Sequence, residues 1–232
     1  MTELVTLVRR HEETRKDTDG KKLDSPTPQG LANAYQRGIE LRQQYPDAQI
    51  RASYSEADRT YYSANAWMMG ASGDLEGMTC TPGLNPLELS ADQKARVRNS
   101  SKEEKMQTIY GEFLPQLATA GERIASYVIE QIMAHLSSGD SKTTVNVDLS
   151  HSPTMDAAYL ILTGQELILE NNPGFDEGKG FDVRLYEKDG VHYVEITAEG
   201  QTKKYVLYDV PIKAKKSPKK TNKETKKSGK KQ

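Results

Sequence analysis

The sequence predicts an α/β protein: a three-layer α/β/α sandwich with a mainly parallel central sheet, a helical insert and a C-terminal antiparallel β-meander. Three observations carry that expectation. Short β-branched, apolar runs alternate with runs of helical periodicity through residues 3–71 and again through 142–164. The last third switches to alternating apolar and polar residues around Asp189-Gly190 and Glu199-Gly200, which read as hairpin turns. A chain of 232 residues with no obvious break before residue 210 matches one large domain.

The elements follow in order. Residues 3–9, ELVTLVR, form the first expected strand, and residues 12–29 form a polar loop. Thr27 is placed to cap a helix beginning at Pro28, because proline fits the first turn and a threonine hydroxyl accepts a free N–H there. Leu31, Ala34, Tyr35, Gly38, Ile39 and Leu41 recur at helical spacing, and Pro46 closes the segment. Residues 48–55 are a second strand, followed by a helix over 56–71 with Thr60, Ala64, Trp67 and Met68 inward. Residues 72–101 are rich in Gly and Pro and carry no clear pattern, whereas 102–137 read as helical, with Pro115 setting the start of the clearest amphipathic run. Residues 142–151 are a third strand, and 152–164 a helix with Pro153 in its first turn and Gly164 past its end. Residues 181–190, 191–200 and 203–209 make the meander, an extension of the sheet edge or a contact for a homo-oligomer. The domain is thus expected over 1–210, with 72–141 as cap or insert.

Composition narrows the classes. Hydrophobic residues make up 35% of the chain, low but sufficient for a core at this length. No apolar stretch reaches the ~18 residues of a membrane span, and MTELVTLVRR lacks the basic region and long apolar core of a secretory signal. Cys80 stands alone, so no internal disulfide forms, and a reducing cytoplasm is the expected location. Neither a CxxC pair nor HExxH is present, so no metal and no cofactor is expected. The net charge of −1 hides a split: residues 211–232 hold ten lysines and one glutamate, which leaves an acidic body. That tail has almost no apolar residues and is expected to be disordered. It reads as a solubilising segment with at most weak contact to anionic partners. The acidic body argues mildly against a large polyanionic substrate.

In open α/β sheets the site lies beyond the carboxyl ends of the parallel strands. The first strand delivers Arg10 and His11 there, the second Ser53 and then Arg59 at the start of a helix, the third His151. Planar guanidinium forks match phosphoryl oxygens, and a histidine among them can attack phosphorus. His135, near the end of an amphipathic helix, and His192, in the meander, read as structural. Arg9 reads as a bystander on the other side of the chain.

This pattern resembles the histidine phosphatase superfamily, which includes the cofactor-dependent phosphoglycerate mutases. That family opens with a strand ending in Arg-His-Gly-Glu-Thr, here Arg10-His11-Glu12-Glu13-Thr14; PTPQGLANAYQRG, ASYSEADRTYYSA and VDLSHSPTM then follow in the family's order, over residues 4–164. The resemblance implies that His11 becomes phosphohistidine, that Arg10, Arg59 and His151 hold the phosphoryl oxygens, and that a carboxylic acid protonates the leaving oxygen. By its distance from Arg59 the acid is Glu88, with Glu76 as rival; Ser152 stands where the acid-phosphatase branch has its acid. The implied activity is hydrolysis of a phosphorylated small molecule or protein. A mutase-type phosphotransfer, or a catalytically weak phosphate- or phosphopeptide-binding member, is the alternative. Two residues depart from the pattern: Glu12 replaces the glycine after the nucleophile, and Asp17 stands where an asparagine is common. An acid beside a phosphate pocket repels anions unless its side chain points away.

Overall fold

Alternate side chains of β1 (Glu3–Arg10) enter two different cores. Val5 and Leu7 join Ala34 and Leu41 of α1 (Pro28–Gln44) and Ala64, Trp67 and Met68 of α2 (Asp58–Ala71). Leu4 and Val8 join Leu117, Ile124 and Val128 of α5 (Leu114–Ser138) and Met155 and Leu160 of α6 (Thr154–Leu162). A strand covered on both faces is a middle layer, so the three-layer sandwich follows directly from β1. The structure, a computed structural model, describes residues 3–20, 22–72, 75–139 and 141–207. The Lys-rich tail and the end of the last expected strand lie outside the described residues.

The seven-stranded sheet runs β5 (Met78–Cys80), β4 (Gln49–Tyr54), β6 (Thr144–Ser150), β1, β7 (Gly180–Lys188), β8 (Val191–Ala198), β9 (Gln201–Leu207). The first four strands are parallel; β7 turns antiparallel against β1 and opens the meander. Asp189 and Glu199, each before a glycine, take positive φ at its two turns, as the sequence implied. β1 and β6 pair in register from Leu4↔Thr144 to Arg10↔Ser150, which brings His11 and His151 out side by side. Among the described residues no helix is long and apolar enough to cross a membrane.

The structure fills in three stretches. The polar loop holds a hairpin, β2 (Thr14–Lys16) and β3 (Lys22–Pro26), whose exposed polar residues give no alternating signal. The unassigned stretch contains α3 (Ala91–Asn99), closed by a Ser90/Gln93 capping box. The helical stretch expected over 102–137 divides into α4 (Lys102–Tyr110) and α5, broken at Gly111–Phe113, with Pro115 in the first turn of α5 as expected. α5 buries Leu117, Ile124 and Val128 against the sheet, so it is one of the sandwich layers.

The α5 face of the sheet also carries a polar strip. Thr6 Oγ and Asn146 Nδ2 both donate to Gln131 Oε1, at 2.9 and 2.7 Å, and Gln131 Nε2 donates to the buried carboxylate of Asp148 at 2.8 Å. Burial pushes the Asp148 carboxyl up to about 7. This strip explains the polar residues inside otherwise apolar strands.

α1 and α2 cross at two glycines. A Cβ on Gly38 would lie 2.1 Å from the Trp67 carbonyl oxygen, and one on Gly70 would lie 2.0 Å from that of Tyr35. Backbone cannot yield by that much, so Gly38→Ala must push the helices apart. Overpacking of this kind costs about 1–3 kcal/mol, and the Gly38→Ala variant is expected to lose at least that much stability in urea unfolding. A variant as stable as wild type would contradict the close crossing.

Candidate active site

His11 leaves β1 still tied to the sheet: its N–H donates to the Ser150 carbonyl at 3.1 Å. The ring is buried, with Nδ1 2.7 Å from the Glu12 carbonyl. A carbonyl only accepts, so Nδ1 carries the proton and Nε2 keeps its lone pair. Burial above all, then Arg59 and Arg10, lowers the His11 pKa to about 4 against the opposing pull of the Glu12 carbonyl. His11 is therefore neutral at pH 7, the form that can attack.

His151 packs beside it, with ring centroids 5.2 Å apart and the planes inclined by 58°. Its tautomer is fixed by two neighbours. Arg59 Nη2, which can only donate, lies 3.1 Å from Nδ1, so Nε2 carries the proton and donates to Ser55 Oγ at 2.7 Å. The chain continues from Ser55 Oγ to Thr60 Oγ1 at 2.8 Å and on to the Ala57 carbonyl at 2.6 Å. Burial first, then the charge of Arg59, holds His151 well below the usual imidazole range. Ser55 thus holds the ring; Ser53, delivered to the site in the sequence reading, instead bonds Tyr127 of α5 at 2.8 Å.

The arginines are held by carboxylates. Arg59 pairs with Asp24 of β3 at 2.6 Å, and the other oxygen of Asp24 accepts from Asp58 N in the first turn of α2 at 3.3 Å. Arg10 pairs with Glu177 at 2.7 Å and donates to the Phe175 carbonyl at 2.9 Å, while its Nε is buried with no hydrogen-bond partner. Asp156 of α6 underpins this wall: it accepts from Ser152 Oγ at 2.6 Å and from Phe175 N at 3.3 Å, and burial raises its carboxyl to about 6. Arg10, His11, Arg59, His151 and Ser152 line one cleft of about 300 Å³ together with Thr14, Lys22, Leu23, Asp24, Pro86 and Lys105.

Glu12 does not face this cleft. Its carboxylate, 2% exposed, turns to the other side and pairs with Arg37 of α1. The pair lies in a slot made by two glycines: a Cβ on Gly30 would come 3.0 Å from the Glu12 Cβ, and one on Gly178 would meet the Arg37 guanidinium at 2.2 Å. Asp17 accepts from the Asp19 N–H at 3.1 Å within its own turn and is not among the residues lining the cleft.

The proposed acids fall elsewhere. The Glu88 side chain is 79% exposed and pairs with Arg123 of α5 at 2.6 Å in a neighbouring cleft that shares only Pro86 with this one. The reason is local: the Asn85 and Pro86 carbonyls accept from the same guanidinium, so the loop presents its next carboxylate to Arg123. Glu76 precedes β5, whose residues pair with β4 only from Ala52↔Met78 onward, so it lies toward the opposite end of the parallel strands. His192, 3.9 Å from Glu187, sits in the meander, Arg9 pairs with Asp182 on the far side of β1, and His135 lies in the last turn of α5. Sequence reasoning missed Ser55, Asp24, Glu177, Asp156, Lys22 and Lys105; only the Ser55-x4-Thr60 spacing ahead of a helix offered a local signal. No group of three or more His, Cys, Asp or Glu side chains among the described residues is arranged to hold a metal ion.

Comparison with known proteins places the fold. No family model and no curated protein sequence matches the chain. Solved structures do. Phosphoglycerate mutase from Bacillus anthracis str. Sterne superposes with a TM-score of 0.54 at 14% identity, over 86% of this chain and 93% of that one. A structure described as mycobacterial hydrolase 1 gives 0.56 at 13% identity, over 87% and 99%. Phosphoserine phosphatase from Entamoeba histolytica, solved in complex with 3-phosphoglyceric acid, gives 0.50 at 17% identity, over 80% and 91%. The expected architecture is therefore shared with phosphoglycerate mutase-like structures over nearly the whole described domain.

Proposed function

We propose that the chain, which has the phosphoglycerate mutase-like fold, hydrolyses phosphomonoesters through a phosphohistidine formed on His11. The observation that carries this reading is the neutral His11 with its proton held on Nδ1, set 5.2 Å from His151 and between two arginines. The Nε2 lone pair forms the P–N bond while the ester P–O bond breaks and its electrons leave on the alcohol oxygen. Arg10 and Arg59 supply charge to the phosphoryl oxygens, and His151, which accepts from Arg59 at Nδ1, holds that guanidinium beside the nucleophile. Water then breaks the P–N bond and restores His11. The fold and the order of the four residues support a phosphoryl group as the ligand; a cytoplasmic location and an oligomeric state are further expectations.

Rapid quenching in alkaline denaturant with 32P-labelled substrate tests the intermediate. The expected result is label on the protein that survives alkali and is lost in acid, as a phosphoramidate is; label stable in acid would point to a different nucleophile.

One observation favours the weaker alternative, a phosphate-binding member with little catalysis. The carboxylates nearest the cleft, Asp24 and Glu177, are both ion-paired, and burial of Glu177 is outweighed by cations that hold its carboxyl low. Neither is a ready proton donor. Esters with good leaving groups need no proton and distinguish the readings: p-nitrophenyl phosphate should be turned over and alkyl phosphates poorly, whereas a pure binding module turns over neither. Glu88→Gln is expected to leave p-nitrophenyl phosphate and alkyl phosphate rates within about twofold, the scatter of a surface change that touches no reacting atom. A selective loss on alkyl phosphates would return Glu88 to the role of acid.

A further inference from the structure

We propose that Ser152 and Asp156 form a proton relay in the wall of the cleft: Asp156 stores the proton, and the Ser152 hydroxyl delivers it to the departing alcohol oxygen. The inference deepens the phosphatase reading above and rests on it. Ser152 follows His151 directly and lines the cleft with Arg10 and His11. Its Oγ lies 2.6 Å from Oδ2 of Asp156, in the first turn of α6. Glu177 and Asp24 are held by Arg10 and Arg59, whereas Asp156 forms no ion pair among the described residues. Two groups face it from other elements. Arg10 of β1 acts on it only at a distance, and Tyr110 of α4 stays protonated, because burial and then the charge of Asp156 raise its phenol.

Asp156 is fully buried, and burial outweighs the hydrogen bonds that favour its ionised form. A carboxyl raised to about 6 both gives up and regains a proton near neutral pH. Its two hydrogen bonds leave one route for that proton. The Phe175 N–H donates to Oδ1 at 3.3 Å, and a peptide nitrogen keeps its proton. Ser152 Oγ can donate and accept at once. With Asp156 ionised, Ser152 donates to it. With Asp156 protonated on Oδ2, the bond reverses and the Ser152 hydroxyl proton is free to turn to the cleft. As His11 Nε2 bonds to phosphorus, the ester P–O bond breaks and its electrons leave on the alcohol oxygen. That oxygen takes the Ser152 proton while Asp156 passes its own to Ser152 Oγ. In the second half, water attacks phosphorus and the P–N electrons return to Nε2. The proton of that water passes to Ser152 Oγ, and the Ser152 proton returns to Asp156.

Kinetics of the full chain on glycerol 3-phosphate and p-nitrophenyl phosphate test this, because only the first ester has an alcohol that needs a proton to leave. Ser152→Ala is expected to lower the ratio of kcat/KM for glycerol 3-phosphate to that for p-nitrophenyl phosphate by about 10²-fold, the scale of one general acid. Asp156→Asn can keep both hydrogen bonds but has no proton to give. It should lower the ratio equally and abolish the fall in kcat/KM for glycerol 3-phosphate that wild type shows as pH rises through the titration of Asp156. Ser152→Asp/Asp156→Asn, which sets a carboxyl directly on the cleft, should restore the ratio. A structural role would slow both esters together and leave the pH dependence in place. An unchanged ratio in a folded Ser152→Ala protein overturns the relay, as does a wild type that hydrolyses p-nitrophenyl phosphate but no alkyl phosphate; either leaves the phosphatase standing. Carbon-13 NMR of labelled aspartate reads the proton without turnover. One carboxyl signal, absent from Asp156→Asn, is expected to titrate near pH 6 and to move to higher pH when inorganic phosphate is added. A signal indifferent to phosphate overturns the relay. A responsive signal in a protein that hydrolyses neither ester removes the phosphatase and keeps the coupling of Asp156 to the cleft.

Discussion

Replacing His11 by alanine is expected to lower kcat/KM for p-nitrophenyl phosphate by about 10³-fold or more, because the nucleophile of a covalent route has no substitute. The size of the effect follows from the geometry. The ring is buried, its Nδ1 proton is engaged by the Glu12 carbonyl, and its pKa of about 4 keeps it unprotonated through neutral pH. No other residue of the cleft combines those properties: His151 spends both ring nitrogens on Ser55 and Arg59. The loss should fall on kcat, with phosphate binding largely retained, since Arg10 and Arg59 remain. Circular dichroism and the unfolding midpoint separate chemistry from misfolding. Hydrolysis within tenfold of wild type by a folded His11→Ala protein would remove His11 from the mechanism.

Arg37→Met is expected to cost about 2–3 kcal/mol of stability at pH 8, near the lower end of the range for breaking a buried ion pair, since Arg37 itself is 27% exposed. The substitution leaves the Glu12 carboxylate, 2% exposed, with no compensating charge in a slot that two glycines keep tight. Burial already raises the Glu12 pKa against the pull of Arg37, and removing the arginine leaves burial unopposed. A carboxyl whose folded-state pKa is raised binds its proton more tightly in the native state, so its penalty grows as pH rises above the ordinary value of 4.5. The defect should therefore be large at pH 8 and smaller at pH 5. Glu12→Gln/Arg37→Met, which removes the charge together with its partner, should recover most of the loss and flatten the pH dependence. Chemical denaturation at the two pH values decides it; a defect of equal size at both would mean that Arg37 acts through packing alone. The pair also bears on the chemistry, because the backbone carbonyl of Glu12 fixes the His11 tautomer. An acid in the glycine position is compatible with this site because it is paired on the far side of the chain.

The amino-acid sequence by itself determined the layers and the meeting of Arg10, His11, Arg59 and His151. Both rest on regularities that act over a few residues. A parallel strand pairs in register with its neighbour, so residues just past the carboxyl ends of β1 and β6 must emerge together, and Thr27-Pro28 or Asp189-Gly190 declare a helix start and a turn by their own backbone preferences. The tertiary structure alone decided which way Glu12 points, which carboxylates pair with the arginines of the cleft and which lysines line it. Glu12 turns away because Gly30, Gly178 and Arg37, distant in sequence, leave room and charge for it there. Glu88 is drawn off by Arg123 and two loop carbonyls, while Glu177, Lys22 and Lys105 arrive on segments whose return to the sheet has no periodic trace in the chain. A strand's register constrains its next residue closely, but a long insert can return by many routes, and only side-chain packing and ion pairing between distant segments select one.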